Sequence, residues 1–98
     1  MSKFQDIIKS DKPTLVDFFA TWCGPCKTMS PIVDQLKTKM GNQLTVLKVD
    51  IDKNQHAAEL YKIRSVPTFM LFKKGKMVWK QAGGMDLRTL EQKVKSSL

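Results

Sequence analysis

The chain has 98 residues, 42% of them hydrophobic, which is enough for one core and too few for two domains. No apolar run approaches the ~18 residues of a membrane span, and the N-terminus turns polar too soon for a signal peptide, so we predict one cytoplasmic domain over residues 1–98. The formal net charge is +8, but the lysines are scattered without interleaved aromatics. This pattern favours an ordinary lysine-rich surface over nucleic acid or membrane partners, and the charge alone does not decide whether acidic proteins bind.

The chain is predicted to open with a short helix and a buried strand. Apolar side chains at spacing i, i+3, i+4 form one helical face that ends before Pro13. These side chains are Phe4, Ile7 and Ile8. Thr14 to Ala20 is a nearly continuous apolar run, typical of a strand covered on both faces. We therefore predict that this strand is central in the sheet, with Asp17 as its one carboxyl.

A second helix and a second strand are predicted to complete a parallel crossover. Apolar residues recur at helical spacing from Pro25 until Gly41, where glycine favours a stop, and Pro31 is predicted to kink this helix. Leu44 to Ile51 is a second apolar run, interrupted by Lys48. Because a strand, a helix and a strand in this order form a right-handed crossover, we predict that the two strands are parallel neighbours.

The rest of the chain predicts a third helix, a hairpin and a last helix. Asn54 is the predicted cap of the third helix, which ends before Pro67 because the residue preceding proline avoids helical geometry. The apolar residues of this helix are Ala57, Ala58, Leu60 and Tyr61. Thr68 to Phe72 and Met77 to Ala82 predict two strands joined by a tight turn, and Asp86 is the predicted cap of the last helix. The order of elements indicates an α/β chain with four strands and four helices.

Both cysteines lie in the segment Trp22-Cys23-Gly24-Pro25-Cys26-Lys27, directly after the first strand. Two cysteines separated by two residues can close a disulfide ring and reopen it, and a helix that begins there directs backbone N–H groups at the first sulfur. We expect Cys23 to be the exposed cysteine and the one stabilised as a thiolate. A structural disulfide or half of a metal site is the alternative, but the strand-then-helix context favours a redox switch.

This segment and the segment Arg64-Ser65-Val66-Pro67-Thr68 make the chain resemble the thioredoxin family over essentially its whole length. The resemblance implies the thioredoxin fold, a mixed sheet with helices on both faces. Family members usually carry a further strand ahead of the first helix, and too few residues precede the first strand here to form it. We therefore predict a sheet of four strands that lacks the N-terminal edge strand.

Four residues form the predicted catalytic group. The resemblance implies that Cys23 attacks a substrate disulfide and that Cys26 resolves the mixed disulfide that results. Asp17 matches the family's buried proton relay to Cys26, directly or through a water, and an exposed Asp on a half-buried strand is the alternative. Lys48 is predicted to approach Asp17 and to favour its carboxylate, and the alternative is an ordinary surface lysine.

A second group of residues is predicted to bind the substrate protein. Gly24 allows close approach of a substrate backbone, and Pro25 stiffens the turn between the cysteines. The resemblance implies that the Val66-Pro67 bond is cis, faces the disulfide and exposes backbone for pairing with an extended substrate, although most X-Pro bonds are trans. The family's apolar contact surface around the disulfide adds Trp22 and Gly83.

The resemblance implies a protein-disulfide reductase that works by dithiol–disulfide exchange and maintains cell redox homeostasis. It would be a monomeric redox carrier without a bound cofactor, recharged by an NADPH-dependent flavoprotein, thioredoxin reductase. His56 lies on a helix without a second histidine or an acidic ligand set, so we predict no metal site. The alternatives are a disulfide oxidant or isomerase, a non-catalytic subunit of a larger complex, and a protein that delivers metal.

Overall fold

The computed structural model describes residues 2–98. Its helices are α1 (Ser2–Ile8), α2 (Gly24–Met40), α3 (Gln55–Leu60) and α4 (Leu87–Lys95). Its strands are β1 (Thr14–Phe19), β2 (Thr45–Asp50), β3 (Thr68–Lys73) and β4 (Lys76–Ala82), and a short 3₁₀ turn, Gly41–Gln43, follows α2. Within the described residues, each helix is too short or too polar to cross a lipid bilayer.

The four strands form one mixed sheet in the order β2-β1-β3-β4. β1 pairs in parallel with β2 and antiparallel with β3, which confirms that β1 is an inner strand and that β1 and β2 are parallel neighbours. β3 pairs antiparallel with β4. Residues 2–13 contain no strand, so β2 forms one edge of the sheet, and the predicted sheet of four strands is confirmed.

Helices cover both faces of the sheet, and each face has its own apolar cluster. The cluster beneath α2 and α4 includes Leu15, Val33, Leu36, Phe69 and Leu90. The cluster beneath α1 and α3 includes Phe4, Ile8, Val16, Phe18, Ala57 and Phe72. Because successive residues of a strand point to opposite faces, β1 contributes to both clusters in turn, which explains its continuous apolar run. The same alternation places Asp17 on the α2 face, together with Leu15.

Helix α3 differs from the prediction in two respects. Asn54 precedes the helix as its N-cap, but its side chain accepts no hydrogen bond from the helix and instead donates to the carbonyl oxygen of Asp50 at 3.0 Å. Of the apolar residues assigned to this helix, Leu60 is 52% exposed, Tyr61 lies just beyond its end as the C-cap, and Ala57 is the buried residue of α3. The side-chain cap predicted for α3 is therefore wrong, and the helix is anchored by a narrower apolar face.

The other element ends lie close to their predicted positions. The carboxylate of Asp86 accepts a hydrogen bond from the N–H of Thr89 at 2.8 Å, which confirms the predicted cap of α4. α2 begins at Gly24, one residue before the predicted start at Pro25. It continues through Pro31, and the kink expected there stays a prediction.

Candidate active site

The two cysteines lie where β1 leads into α2, and a disulfide bond joins them. Cys23 is the N-cap of α2, and its Sγ accepts a hydrogen bond from the backbone N–H of Cys26 at 3.1 Å. Pro25 lies in the same first turn and has no N–H to donate. The first sulfur thus lies at the positive end of the helix dipole, next to a backbone donor, and both favour a thiolate at Cys23 once the disulfide is reduced.

Both cysteines are buried in the disulfide form, Cys23 being 4% and Cys26 6% exposed. The expectation that Cys23 is the exposed cysteine is therefore wrong for this state. The cover comes from the chain itself: Cys23 Sγ lies 3.5 Å from the carbonyl oxygen of Val66, and both cysteines pack with Ala20. Cys23 differs from Cys26 in its position as the N-cap of α2, where the positive end of the helix dipole acts on its sulfur.

Val66 and Pro67 lie beside the disulfide, and the peptide bond between them is cis, as predicted. Pro67 directly precedes β3, which runs antiparallel to β1, so the start of β3 lies at the end of β1 that leads to Cys23. The N–H of Gly83 donates to the carbonyl oxygen of Pro67 at 2.8 Å. Gly83 has a φ of +93°, a conformation that favours glycine. The structure therefore brings three predicted substrate-binding residues together next to the disulfide.

Trp22 supplies an exposed aromatic surface directly before Cys23. The side chain is 68% exposed, and its indole Nε1 donates to Oδ2 of Asp52 at 2.9 Å. Asp52 lies just after β2, and its N–H donates to Oδ1 of Asp50 at 2.8 Å. Sequence analysis missed Asp52. The carboxyl ends of the parallel neighbours β1 and β2 lie at the same edge of the sheet, so an acidic residue directly after β2 can be expected near Trp22, which follows β1. The hydrogen bond orients a large apolar side chain that stays open to solvent.

A cavity of about 350 Å³ lies next to the disulfide, and both Asp17 and Cys26 line it. The other lining residues are Phe19, Ala20, Thr21, Lys27, Ser30 and Lys48. Asp17 is 3% exposed, and its Oδ1 has no hydrogen-bond partner within residues 2–98. Burial raises the pKa of Asp17 from its ordinary value of 3.8 to about 6, against an opposing effect of Lys48. The alternative of an exposed Asp17 is therefore wrong, and this carboxyl shares a cavity with the second cysteine.

Lys48 faces Asp17 in the sheet, but its ammonium is bonded elsewhere. The two residues are register partners on β2 and β1. Lys48 Nζ lies 2.9 Å from Oδ1 of Asp34 and 3.0 Å from Oγ of Ser30, both on α2. The predicted approach of Lys48 to Asp17 is confirmed for the backbone, while the side chain pairs with a different carboxylate.

Ser30 and Asp34 are members of this cluster that sequence analysis missed. They follow Cys26 at i+4 and i+8, so they continue one face of α2 from the second cysteine onward. Polar pairs at this spacing occur elsewhere on α2, for example at Gln35 and Lys39, so no signal in the sequence separates Ser30 and Asp34 from them. Within residues 2–98, no group of three or more His, Cys, Asp or Glu side chains is placed to hold a metal ion.

Comparison with known proteins gives consistent matches along the chain. The family model of thioredoxin matches residues 1–96. The chain is 42% identical over 98 residues to the chloroplastic thioredoxin Y of Oryza sativa subsp. japonica, covering 99% of this chain and 58% of the relative. It is 45% identical over 82 residues to the bifunctional thioredoxin reductase/thioredoxin of Mycobacterium leprae, covering 84% of this chain and 18% of the relative. The chain thus spans little more than half of the first of these relatives and a small part of the second.

A solved structure gives the same match in three dimensions. A mutant thioredoxin from Halobacterium salinarum NRC-1 superposes with a TM-score of 0.89 at 34% sequence identity, covering 99% of this chain and 84% of that one. The fold predicted from the sequence is therefore confirmed.

Proposed function

Because this chain belongs to the thioredoxin family, we propose that it reduces protein disulfides by dithiol–disulfide exchange through Cys23 and Cys26. The observation that carries the proposal is the disulfide between these residues at the start of α2, where the N–H of Cys26 reaches the sulfur of Cys23. A disulfide in this position is the oxidised product of such a reaction. The helix N-terminus stabilises the thiolate that the reduced form needs.

The reaction proceeds in two exchange steps that balance electrons and protons. The Cys23 thiolate attacks one sulfur of the substrate disulfide, and the other substrate sulfur leaves as a thiolate and takes up a proton. Cys26 then loses its proton, attacks the Sγ of Cys23 and releases the second substrate thiol. The substrate gains two electrons and two protons, and the chain is left with the disulfide that the structure contains.

Asp17 is the proposed acceptor of the Cys26 proton. Both residues line one cavity, whose volume of about 350 Å³ accommodates a bridging water. A carboxylate with a pKa of about 6 is a stronger base than an ordinary aspartate and is still mostly ionised at neutral pH. These two properties suit a group that must take a proton from a thiol and later return it to solvent.

The proposed substrate surface surrounds the disulfide. The exposed ring of Trp22 lies on one side, and the backbone of Val66 offers pairing to an extended substrate segment. A Cβ added at Gly24 or Gly83 would meet no atom within 4 Å, so both positions leave room for a substrate backbone. In this proposal the substrate segment binds over these residues, next to the disulfide.

We also propose that an NADPH-dependent flavoprotein, thioredoxin reductase, returns electrons to the disulfide form. Support comes from the Mycobacterium leprae relative, whose description joins a thioredoxin reductase to a thioredoxin. In this proposal the chain acts as a monomeric, single-domain electron carrier in the cytoplasm and needs no cofactor of its own.

The proposed reaction predicts that the purified protein accelerates the reduction of a protein disulfide by a small dithiol. The reason is that Cys23 attacks as a stabilised thiolate and Cys26 resolves from the same helical turn. The measurement is thiol release with time at fixed dithiol concentration, with the double variant Cys23→Ser/Cys26→Ser as the matched control. A rate no higher than that of the dithiol alone would contradict the reductase proposal.

A further inference from the structure

Lys48 has two carboxylates within its neighbourhood and is bonded to one of them. Sheet register places Lys48 opposite Asp17, and both side chains line the same cavity. The ammonium nevertheless donates to Oδ1 of Asp34 at 2.9 Å and to Oγ of Ser30 at 3.0 Å. Oδ1 of Asp17 has no hydrogen-bond partner in the described part of the chain. The choice between the two carboxylates therefore needs a physical reason.

Solvation explains why the Lys48 ammonium binds Asp34 and not Asp17. The side chain of Asp34 is 64% exposed and that of Lys48 is 35% exposed, so their ion pair keeps much of its hydration. Asp17 is 3% exposed, and a pair with it would require the ammonium to leave water as well. Ser30 adds a second acceptor one helical turn before Asp34, on the same face of α2. For the Lys48 ammonium, hydrogen bonds to Ser30 and Asp34 near solvent are therefore more favourable than a pair with Asp17 inside the cavity.

We propose that Ser30 and Asp34 are positioning residues that hold the Lys48 ammonium on the α2 side of the cavity and thereby keep Asp17 unpaired and available to the proton of Cys26. The placement of the ammonium stands on the contacts alone. Its consequence for turnover rests on the proposed reductase function.

Few other charges face Asp17 from the elements packed around it. β2 supplies Lys48 and, two residues further along the same face, Asp50, whose Oδ1 accepts hydrogen bonds from the backbone N–H groups of Asp52 and Lys53. α2 supplies Asp34 and Lys27. β3 and α4 line this face with apolar side chains such as Phe69. Burial is the largest influence on the pKa of Asp17 and raises it, Lys48 lowers it, and Asp34 raises it. The position of the Lys48 ammonium is therefore the main factor through which neighbouring residues can change the pKa of Asp17.

Release of Lys48 from Ser30 and Asp34 would lower the pKa of Asp17. An ammonium that moves towards Asp17 stabilises the carboxylate and lowers its pKa. A carboxylate with a lower pKa is a weaker base, so the transfer of the Cys26 proton slows. The contacts from Ser30 and Asp34 prevent this in the resting protein.

The test is a double-variant cycle read by NMR titration of the Asp17 side-chain carboxyl carbon. The four proteins are the unmodified chain, Asp34→Asn, Lys48→Met and the variant with both changes, all in the disulfide form, in which the cysteines do not titrate. Asp34→Asn removes both the tether and a negative charge, and it is expected to lower the pKa of Asp17 by about one pH unit. In the Lys48→Met background the direct charge effect alone remains, so the shift is expected to be less than half as large. Equal shifts in the two backgrounds, or no shift in either, would overturn the proposal.

A second arm removes the tether without changing any charge. Ser30→Ala is expected to lower the pKa of Asp17, whereas Thr28→Ala, an exposed hydroxyl on α2, is expected to leave it unchanged. In turnover assays, Asp34→Asn is expected to slow reduction and to move the acidic limb of the pH profile to lower pH. The NMR cycle does not depend on turnover. A wrong placement of Lys48 would therefore appear in the Asp17 titration, whereas a wrong reductase proposal would appear only in the turnover assay. A fall in turnover with no movement of the Asp17 titration would show a merely structural effect and would count against the proposal.

Discussion

Replacement of either cysteine by serine is expected to abolish turnover, with a different signature for each. Cys23→Ser removes the thiolate proposed to attack the substrate disulfide, and loss of the attacking group is expected to lower turnover by at least about a thousandfold. Cys26→Ser keeps Cys23 at the N-terminus of α2, so it attacks once and then lacks the thiol that resolves the mixed disulfide. Thiol release under single-turnover and multiple-turnover conditions distinguishes the two variants.

The two cysteine variants control for each other. Each exchanges one sulfur for a slightly smaller oxygen and each removes the same disulfide, so losses of stability are expected to be similar. A single burst of substrate thiol from Cys26→Ser and none from Cys23→Ser is the expected pattern. The reverse pattern would exchange the roles of the two cysteines.

Asp17→Asn is expected to produce a protein that is more stable at neutral pH and slower in catalysis. The folded pKa of Asp17 is about 6, above its ordinary value of 3.8. Between these two values the folded state binds more protons than the unfolded state, so stability falls as pH rises through this range. A difference of about two pH units corresponds to about 3 kcal/mol, which is the upper limit of what the neutral amide can recover above pH 6.

Asp17→Asn is expected to lower the rate of disulfide reduction although it raises stability. An amide cannot accept the proton of Cys26, and a positioned base contributes on the order of a hundredfold to a proton-transfer step. Reduction is therefore expected to slow by about that factor, with less effect where water takes over part of the transfer. Stability and activity should thus move in opposite directions in the same variant.

Denaturant unfolding at two pH values and a turnover assay test both parts of this expectation. Above pH 6 the variant should exceed the unmodified protein in its free energy of unfolding, and below pH 3.8 the difference should vanish. Asp11→Asn, which changes an exposed carboxyl on the loop before β1, is the matched control and should alter neither property. A destabilised Asp17→Asn variant with full activity would refute the buried proton relay.

Sequence reasoning succeeded where local pattern and burial agree. The run that forms β1 is apolar at consecutive positions because helices cover both faces, and Leu15 and Val16 enter opposite clusters. Asp17 stands out as the one carboxyl in this run, although the sequence alone leaves exposure on a half-buried strand as the alternative. The cis bond at Val66-Pro67 came from family resemblance, since the residues alone favour trans.

The details that the sequence did not reveal concern contacts that no local pattern encodes. Asn54 has the side chain of a cap, but its amide donates to the carbonyl oxygen of Asp50 across the turn that follows β2. Lys48 has two possible carboxylate partners, and the chosen one lies on a helix 14 residues earlier in the chain. The burial of Cys23 involves Val66, 43 residues away, whose backbone lies beside the sulfur because β3 pairs with β1.

The central claim is that Cys23 is the sulfur that attacks protein disulfides. The most direct test is to incubate reduced Cys26→Ser with a soluble protein that has a single accessible disulfide, to block free thiols, and to map the covalent adduct by peptide mass spectrometry. We predict an adduct through Cys23, with the substrate's second cysteine free and blocked, and no adduct with Cys23→Ser under the same conditions. Absence of any adduct with Cys26→Ser, or an equally abundant adduct through Cys26 in Cys23→Ser, would contradict the account.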